Sequence, residues 1–391
     1  MTPAARLQAA IEILDRVVES ARDDGAPADA IVTRYFKTRR YAGSNDRRAV
    51  RELVFQAIRR TADRPESGRA AVLGLVQDHQ ELLGLFGEPR GPEPLQKGEP
   101  ACTSGVVPEW LIPELSPLMT AEEWPALIER APLDLRVNVA RTTREAMQER
   151  FAGAVPTPLS PWGLRLPADS RVDDSPEYAE GLIEVQDEGS QLVALACDPH
   201  AGQRILDLCA GAGGKALALA AAAPAALILA ADSNRARLSK LQPRADRAGA
   251  AIEMRLLNPP SELAELEDWR GQADLVLVDA PCSGSGTWRR NPEARWRLTP
   301  ERLDRVVALQ QRLLGIAAEL VRPGGCLVYA VCSLLSQEGV GQMEQFLGER
   351  SSWLVQDILN GFGRSDGAGR LLTPAHDRTD GFFVARVQKP C

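Results

Sequence analysis

Apolar residues recur at helical spacing near the start of the chain, at Leu7, Ala10, Ile11, Leu14 and Val18, and that period predicts an amphipathic helix. A second stripe, Val50, Leu53, Val54, Ala57 and Ile58, follows Ser44 and Asn45, either of which can cap a helix by accepting from its free N–H groups. Residues 91–100 are rich in Pro and Gly and read as a loop. Then the period shortens. Leu135-Arg-Val-Asn-Val alternates like a strand, a helix is predicted to begin near Thr143, and further short strands run to about Glu184. From about Val185 strands and helices alternate. Strands are predicted at 204–208, 226–231, 252–257, 273–278 and 325–330, with helices between them, for example at 214–222 and 300–320. Gly381-Phe-Phe-Val-Ala-Arg-Val supplies a last strand, predicted antiparallel because a short connection suffices for a hairpin-like return. Such alternation implies a mostly parallel sheet with helices on both faces. Three domains are expected: a helical one at 1–130, a small α+β one at 131–184 and an α/β one at 185–391, with no internal repeat.

A chain of 391 residues with 44% apolar composition can fill such cores and is not of the disordered class. Its net charge of −7 argues against a nucleic-acid ligand only if charge is spread evenly, and it is not. Residues 34–60 hold nine basic side chains against Asp46 and Glu52, and residues 288–305 hold six arginines against Glu293, Glu301 and Asp304. Local basic surface governs phosphate binding more than the global sum does. Solvated helix faces explain the first stretch equally well. Seven cysteines without CxxC spacing fit neither a disulfide framework nor a zinc site. A reducing compartment is expected, and the N-terminus lacks the apolar stretch of a signal peptide. The longest apolar run, 216–231, is broken by Pro224 and is too short to span a bilayer. A soluble cytoplasmic monomer without metal is the expectation.

The candidate chemistry begins with two cysteines, each placed at the carboxyl end of a predicted buried strand. Leu275-Val-Leu-Val-Asp-Ala-Pro-Cys282 is one such segment and Cys326-Leu-Val-Tyr-Ala-Val-Cys332 the other. Ligands of open α/β sheets bind just beyond those ends, so both thiols should face one crevice. Upstream, Leu206-Asp-Leu-Cys-Ala-Gly211-Ala-Gly213-Gly214-Lys215 joins a strand to a helix. Its glycines let a ligand approach the backbone, and the helix start offers free N–H groups. Asp232 follows the next strand, where an acid would meet ribose hydroxyls. Taken alone, the turn fits NAD and S-adenosylmethionine equally, and a turn without a cofactor role also stays open.

With the cysteine motifs added, the chain resembles the NOL/NOP/Sun, or RsmB-type, family of RNA cytosine-C5 methyltransferases. The resemblance rests on Asp207-Leu-Cys-Ala-Gly-Ala-Gly-Gly-Lys215, on Asp279-Ala-Pro-Cys-Ser-Gly-Ser-Gly-Thr-Trp-Arg-Arg-Asn-Pro292, and on Tyr329-Ala-Val-Cys-Ser333 with Glu338 after it. Val185-Gln-Asp-Glu-Gly-Ser190 and Asp380-Gly-Phe-Phe383 add to it, and the likeness runs well from about Leu135 to Val387. It implies a Rossmann-like class I methyltransferase domain behind a small α+β, RRM-like domain and an all-α, NusB-like RNA-binding domain. It also implies methyl transfer from S-adenosyl-L-methionine to C5 of a cytosine in RNA, foremost 16S ribosomal RNA. By resemblance, Cys332 attacks C6 of the base, Cys282 assists release of the adduct, and Asp279 meets the base at N3 or N4. The cofactor residues implied are Cys209, Ala210, Gly211, Ala212, Gly213, Gly214, Lys215, Asp232, Asn258 and Asp279, although the Cys209 thiol itself reads as packing.

The chemistry fits those residue types. Cytosine C5 is a poor nucleophile until a thiolate adds at C6, so covalent catalysis replaces one difficult step with easier ones. A free thiol has a pKa of about 8.5, so the nucleophile needs an electropositive setting. Lys215, Arg289 and the bound sulfonium are candidates for it. Arg289, Arg290 and Arg295 are expected to hold RNA phosphates, and Trp296 or Trp288 to stack on a base. Some positions depart from the family pattern. Asn258 stands in place of a usual aspartate, Ala216 in place of threonine after the lysine, and Val331 in place of threonine before the nucleophile. Rival readings are a non-catalytic RNA-binding assembly factor, a nicotinamide dehydrogenase, and transfer RNA as the substrate.

Overall fold

The computed structural model describes residues 1–23, 25–167, 170–357 and 361–391, and the chain divides into two compact units. One unit is helical and comprises Met1–Leu115, Thr120–Glu129 and Thr287–Pro300. Its helices are α1 (Pro3–Arg22), α2 (Ala28–Lys37), α3 (Ser44–Arg60) and α4 (Gly68–Val76). Leu7, Leu14, Val50, Val54 and Ile58 from the two predicted stripes are fully buried in one core. Thr2 and Ser67 cap α1 and α4 by accepting from the N–H of Ala5 and Ala70. The cap of α3 falls one residue before the expected Ser44, at Gly43, whose N–H donates to Asp46. Residues 91–100 form a loop.

The helical unit reaches across the sequence for its last piece. Trp296 is part of its core. Glu293 accepts from the N–H of Ala28 at 2.9 Å and so caps α2, which has no side-chain cap of its own. Arg295 donates to the carbonyls of Ile58, Arg59 and Thr61 at the end of α3. An acid at a helix start and a base at a helix end each meet a favourable dipole.

The second unit comprises Ser116–Met119, Arg130–Gly286 and Glu301–Cys391. It opens with an antiparallel sheet of β1 (Leu133–Val137), β2 (Val155–Pro156), β3 (Gly163–Leu166) and β4 (Ile183–Val185), in the order β2-β3-β1-β4. Helices α5 (Arg144–Arg150) and α6 (Pro176–Ala179) lie within this stretch, and α7 (Glu188–Ala196) leads out of it.

The alternating region follows in order: β5 (Arg204–Asp207), α8 (Gly214–Ala222), β6 (Leu227–Asp232), α9 (Arg235–Leu238), α10 (Leu241–Ala248), β7 (Glu253–Leu256), α11 (Glu262–Glu265) and β8 (Ala273–Asp279). It continues with α12 (Pro300–Leu320), β9 (Val321–Val331), α13 (Val340–Glu349), β10 (Leu354–Gln356), β11 (Arg364–Asp366), β12 (Gly369–Leu372) and β13 (Phe382–Gln388). The large sheet runs β11-β12-β13-β9-β8-β5-β6-β7, with β10 also on β13. Strands β5 to β9 are mutually parallel, whereas β13 runs antiparallel to β9. Central strands read as unbroken apolar runs because helices cover both faces. Val276, Leu277 and Val278 of β8 and Leu327 to Val331 of β9 are fully buried. The chain starts at β5, moves out to β7, then crosses back to β8. That reversal puts the sheet's switch point, and its ligand crevice, between the carboxyl ends of β5 and β8. Among the described residues, no helix is long and apolar enough to cross a membrane.

Candidate active site

The carboxyl end of β5 carries the glycine turn. Gly211 and Gly213 have φ of +56° and +82°, a region that glycine enters without strain. A Cβ would lie 2.4 Å from the Arg237 guanidinium at Gly211 and 2.1 Å from the Leu241 side chain at Gly213. Asp232, at the end of β6, accepts from the N–H of Gly211 at 2.7 Å and of Asn234 at 2.6 Å. It is buried, so it ties the turn to the neighbouring strand as well as standing where a ribose acid belongs. Asn258 lies two residues beyond β7, and its backbone and side-chain N–H groups both donate to Glu265 at 2.7 Å. Ala210, Ala212 and Gly214 complete the turn, and burial pushes the Cys209 thiol well above its ordinary range. That thiol therefore stays protonated, in keeping with packing.

Lys215, in the first turn of α8, places its ammonium 2.7 Å from the Asp279 carboxylate at the end of β8. Burial, the largest single influence, pulls this lysine down, but the charge of Asp279, the hydrogen bond to it and the charges of Cys332 and Asp207 together turn the net shift upward. Its ammonium also lies 5.3 Å from the centre of the Phe382 ring. Behind Phe382, Asp187 accepts from the N–H of Gly189 and of Asp380, which joins the segments 185–190 and 380–383. Asp207 is 1% exposed, and neither carboxylate oxygen has a hydrogen-bond partner of good geometry. Burial first, and the Asp279 charge second, push it up to about 7. A glycine turn opening a helix, with acids or an amide ending successive strands and the buried Asp207 carboxyl beside it, fits a nucleoside-bearing cofactor. Among the described residues, no cluster of His, Cys, Asp or Glu has the makings of a metal site.

The two thiols meet. Cys282 Sγ and Cys332 Sγ are 3.3 Å apart, although the residues are separated by fifty positions. Hydrogen bonding to Cys332, then burial and the charges of Cys332 and Glu338, hold the Cys282 thiol well above its ordinary range. Both cysteine loops close on Glu338, which is fully buried. One of its oxygens accepts from the Ser283 N–H at 2.8 Å and from Gln310 Nε2 at 2.9 Å. The other accepts from the Ser333 hydroxyl at 2.5 Å and from the Ser283 hydroxyl. Ser285 bonds to both serines, and the Tyr329 hydroxyl donates to the Glu338 carbonyl at 2.7 Å. Glu338 and Asp207 stand in the sequence motifs without an evident role, and only the fold brings them to the site. The available signal was a serine after each cysteine, since buried hydroxyls need an acceptor.

The expected RNA residues lie in the segment that folds into the helical unit. Arg289 is 6% exposed and Arg290 is half-buried. Arg295 and Trp296 are 1% and 2% exposed, and both donate to the Thr61 carbonyl at 2.9 Å. Neither offers an open face for a phosphate or a base. An arginine run in a sequence usually marks a solvated face, and this one instead holds helix ends together.

Comparison with known proteins adds the following. The model of a family described as 16S rRNA methyltransferase RsmB/F matches residues 194–388. A ribosomal RNA small subunit methyltransferase B from Xylella fastidiosa (strain 9a5c) is 35% identical over 269 residues, 68% of this chain and 63% of that protein. The chain thus spans a little under two thirds of that relative's length. A solved structure of PH0851 has the same fold, with a TM-score of 0.75 at 21% identity over 100% of this chain and 99% of the other. A methyltransferase homologue from Pyrococcus horikoshii gives a TM-score of 0.59 at 26% identity, over 68% of this chain and 89% of that one.

Proposed function

The chain belongs to the RsmB/F family of 16S rRNA methyltransferases through residues 194–388, and from that premise we propose that it methylates C5 of a cytosine in RNA, with 16S ribosomal RNA as the substrate. The observation that carries the reading is the thiol pair. Two cysteines 3.3 Å apart, at the ends of adjacent parallel strands and beside the glycine turn, answer the needs of covalent pyrimidine chemistry. Gly211, Gly213 and the strand-end residues Asp232 and Asn258 would hold S-adenosylmethionine. Bound there, it supplies an electrophilic methyl group.

Cys332 adds to C6 of the cytosine, and the electron pair gained at C5 takes the methyl group. Loss of the C5 proton and expulsion of the Cys332 thiolate restore the ring, with Cys282 assisting the release. Asp279, which accepts from the Lys215 ammonium at 2.7 Å, accepts from the N4 amino group of the base through its remaining acceptor sites. RNA is held by exposed basic residues of α2, α3 and the connection between them, Arg34, Lys37, Arg40, Arg47, Arg48 and Arg51.

The test is transfer of labelled methyl from S-adenosylmethionine to RNA from cells that lack the protein, with covalent protein–RNA species read on a denaturing gel. Label at cytosine C5 is expected with wild type, none with Cys332→Ala, and accumulated adduct with Cys282→Ala. Tight RNA binding without transfer to either naked RNA or ribosomal subunits would sink the reading in favour of a non-catalytic assembly factor.

A further inference from the structure

The buried carboxylate of Glu338 is the one group that both cysteine loops share. Cys282 is followed by Ser283 and Cys332 by Ser333, and these two serines donate three hydrogen bonds to Glu338 between them. Gln310, on α12, donates to the same carboxylate and also to the carbonyl of Pro281, just before Cys282. A second strut crosses between the loops without it, since Gly286 N–H donates to the Cys332 carbonyl at 3.0 Å. Among the described residues no cation bonds to Glu338; its partners are hydroxyls, an amide and a backbone N–H. For a buried carboxylate that arrangement keeps the negative charge local, where neighbouring thiols feel it.

We propose that Glu338 is the positioning residue for both thiols: its carboxylate sets the separation of Cys282 and Cys332 and leaves the proton of the pair on Cys282. The Cys282 loop meets Glu338 through both the backbone N–H and the hydroxyl of Ser283, whereas the Cys332 loop meets it through the Ser333 hydroxyl. The ionisable groups around Cys282 include Cys332, Glu338 and the buried Tyr329, the Gly284 backbone N–H favours the thiolate against them, and the Lys215–Asp279 ion pair stands at the end of β8. A protonated Cys282 is a hydrogen-bond donor to the Cys332 sulfur. It stabilises that sulfur as an anion before attack on the base and again when the sulfur leaves. One carboxylate thereby gives two chemically identical side chains different tasks. The inference rests on the reading of Cys282 and Cys332 as working thiols.

The experiment uses the full chain without RNA or cofactor, so it is read independently of methyl transfer. Wild type, Glu338→Gln and Ser333→Ala are alkylated with iodoacetamide from about pH 6 to about pH 10, across the ordinary thiol range. Mass spectrometry follows Cys282 and Cys332 separately, and thermal unfolding confirms that each variant folds. Phenylarsine oxide, which bridges two close thiols, reports their separation. Glu338→Gln removes the charge, and the Cys282 labelling midpoint is expected to fall by about one pH unit, a roughly tenfold gain in rate below it. Ser333→Ala keeps the charge but frees one loop; the Cys282 midpoint should hold while arsenical capture drops several-fold. A folded Glu338→Gln with an unmoved Cys282 profile overturns the proposal. If that variant does not fold, Ser333→Ala decides, and unchanged arsenical capture overturns it. Absence of methyl transfer by wild type with these shifts intact would strike the proposed activity and leave the role of Glu338 standing.

Discussion

Asp207 pays for its place in the crevice with an ionisation it makes poorly. An acid raised to about 7 in the folded protein binds its proton more tightly there than in the unfolded chain, where about 3.9 is usual. Between those values the folded state holds the extra proton, so its stability falls as pH rises through the window and levels off above about 7. The full penalty is about 4 kcal/mol, with the relief from the Lys215 charge already within it. Asp207→Asn, nearly the same shape without the charge, should therefore raise the melting temperature at about pH 8 and change it little at about pH 4. Equal effects at both values would show that the carboxyl is not the strained group. Asp279 makes the contrast, because it is only half-buried and bonds directly to Lys215 as an ion pair.

The ends of the elements show what was legible in the chain and what was not. Strands β5, β6, β8 and β9 could be read because their apolar runs are buried on both faces and local composition carries that fact. The meeting of Cys282 and Cys332 could be read too, because parallel strands end at one edge of a sheet. The short antiparallel strands β10, β11 and β12 escaped, being three or four residues long and mostly half-exposed. Arg295 and Trp296 escaped for another reason. Their partners, Ile58 to Thr61, lie far earlier in the chain, and no local pattern distinguishes an arginine that caps a distant helix from one that meets a phosphate. Arg295→Met should cost about 3 kcal/mol in urea unfolding, since it strands buried carbonyls at the end of α3. A change under about 0.5 kcal/mol, the range of an ordinary surface substitution, would return Arg295 to the candidate RNA residues.

The helical unit is assembled from three stretches of chain, the last of them Thr287–Pro300. Residues 1–130 therefore do not contain the whole of their own core, which includes Trp296. Expressed alone, that fragment should unfold over a broad, weakly cooperative transition, and a synthetic peptide of residues 287–300 should sharpen it. A sharp transition without the peptide would refute this. A domain carried wholly at the head of a gene can be gained, lost or exchanged by a single recombination joint. This one cannot, because a graft cut near residue 130 leaves its tryptophan and its two helix caps behind in the donor. Lineages that carry this arrangement must inherit the two distant stretches together, and changes around Ile58 to Thr61 should be matched by changes at 295 and 296 across relatives.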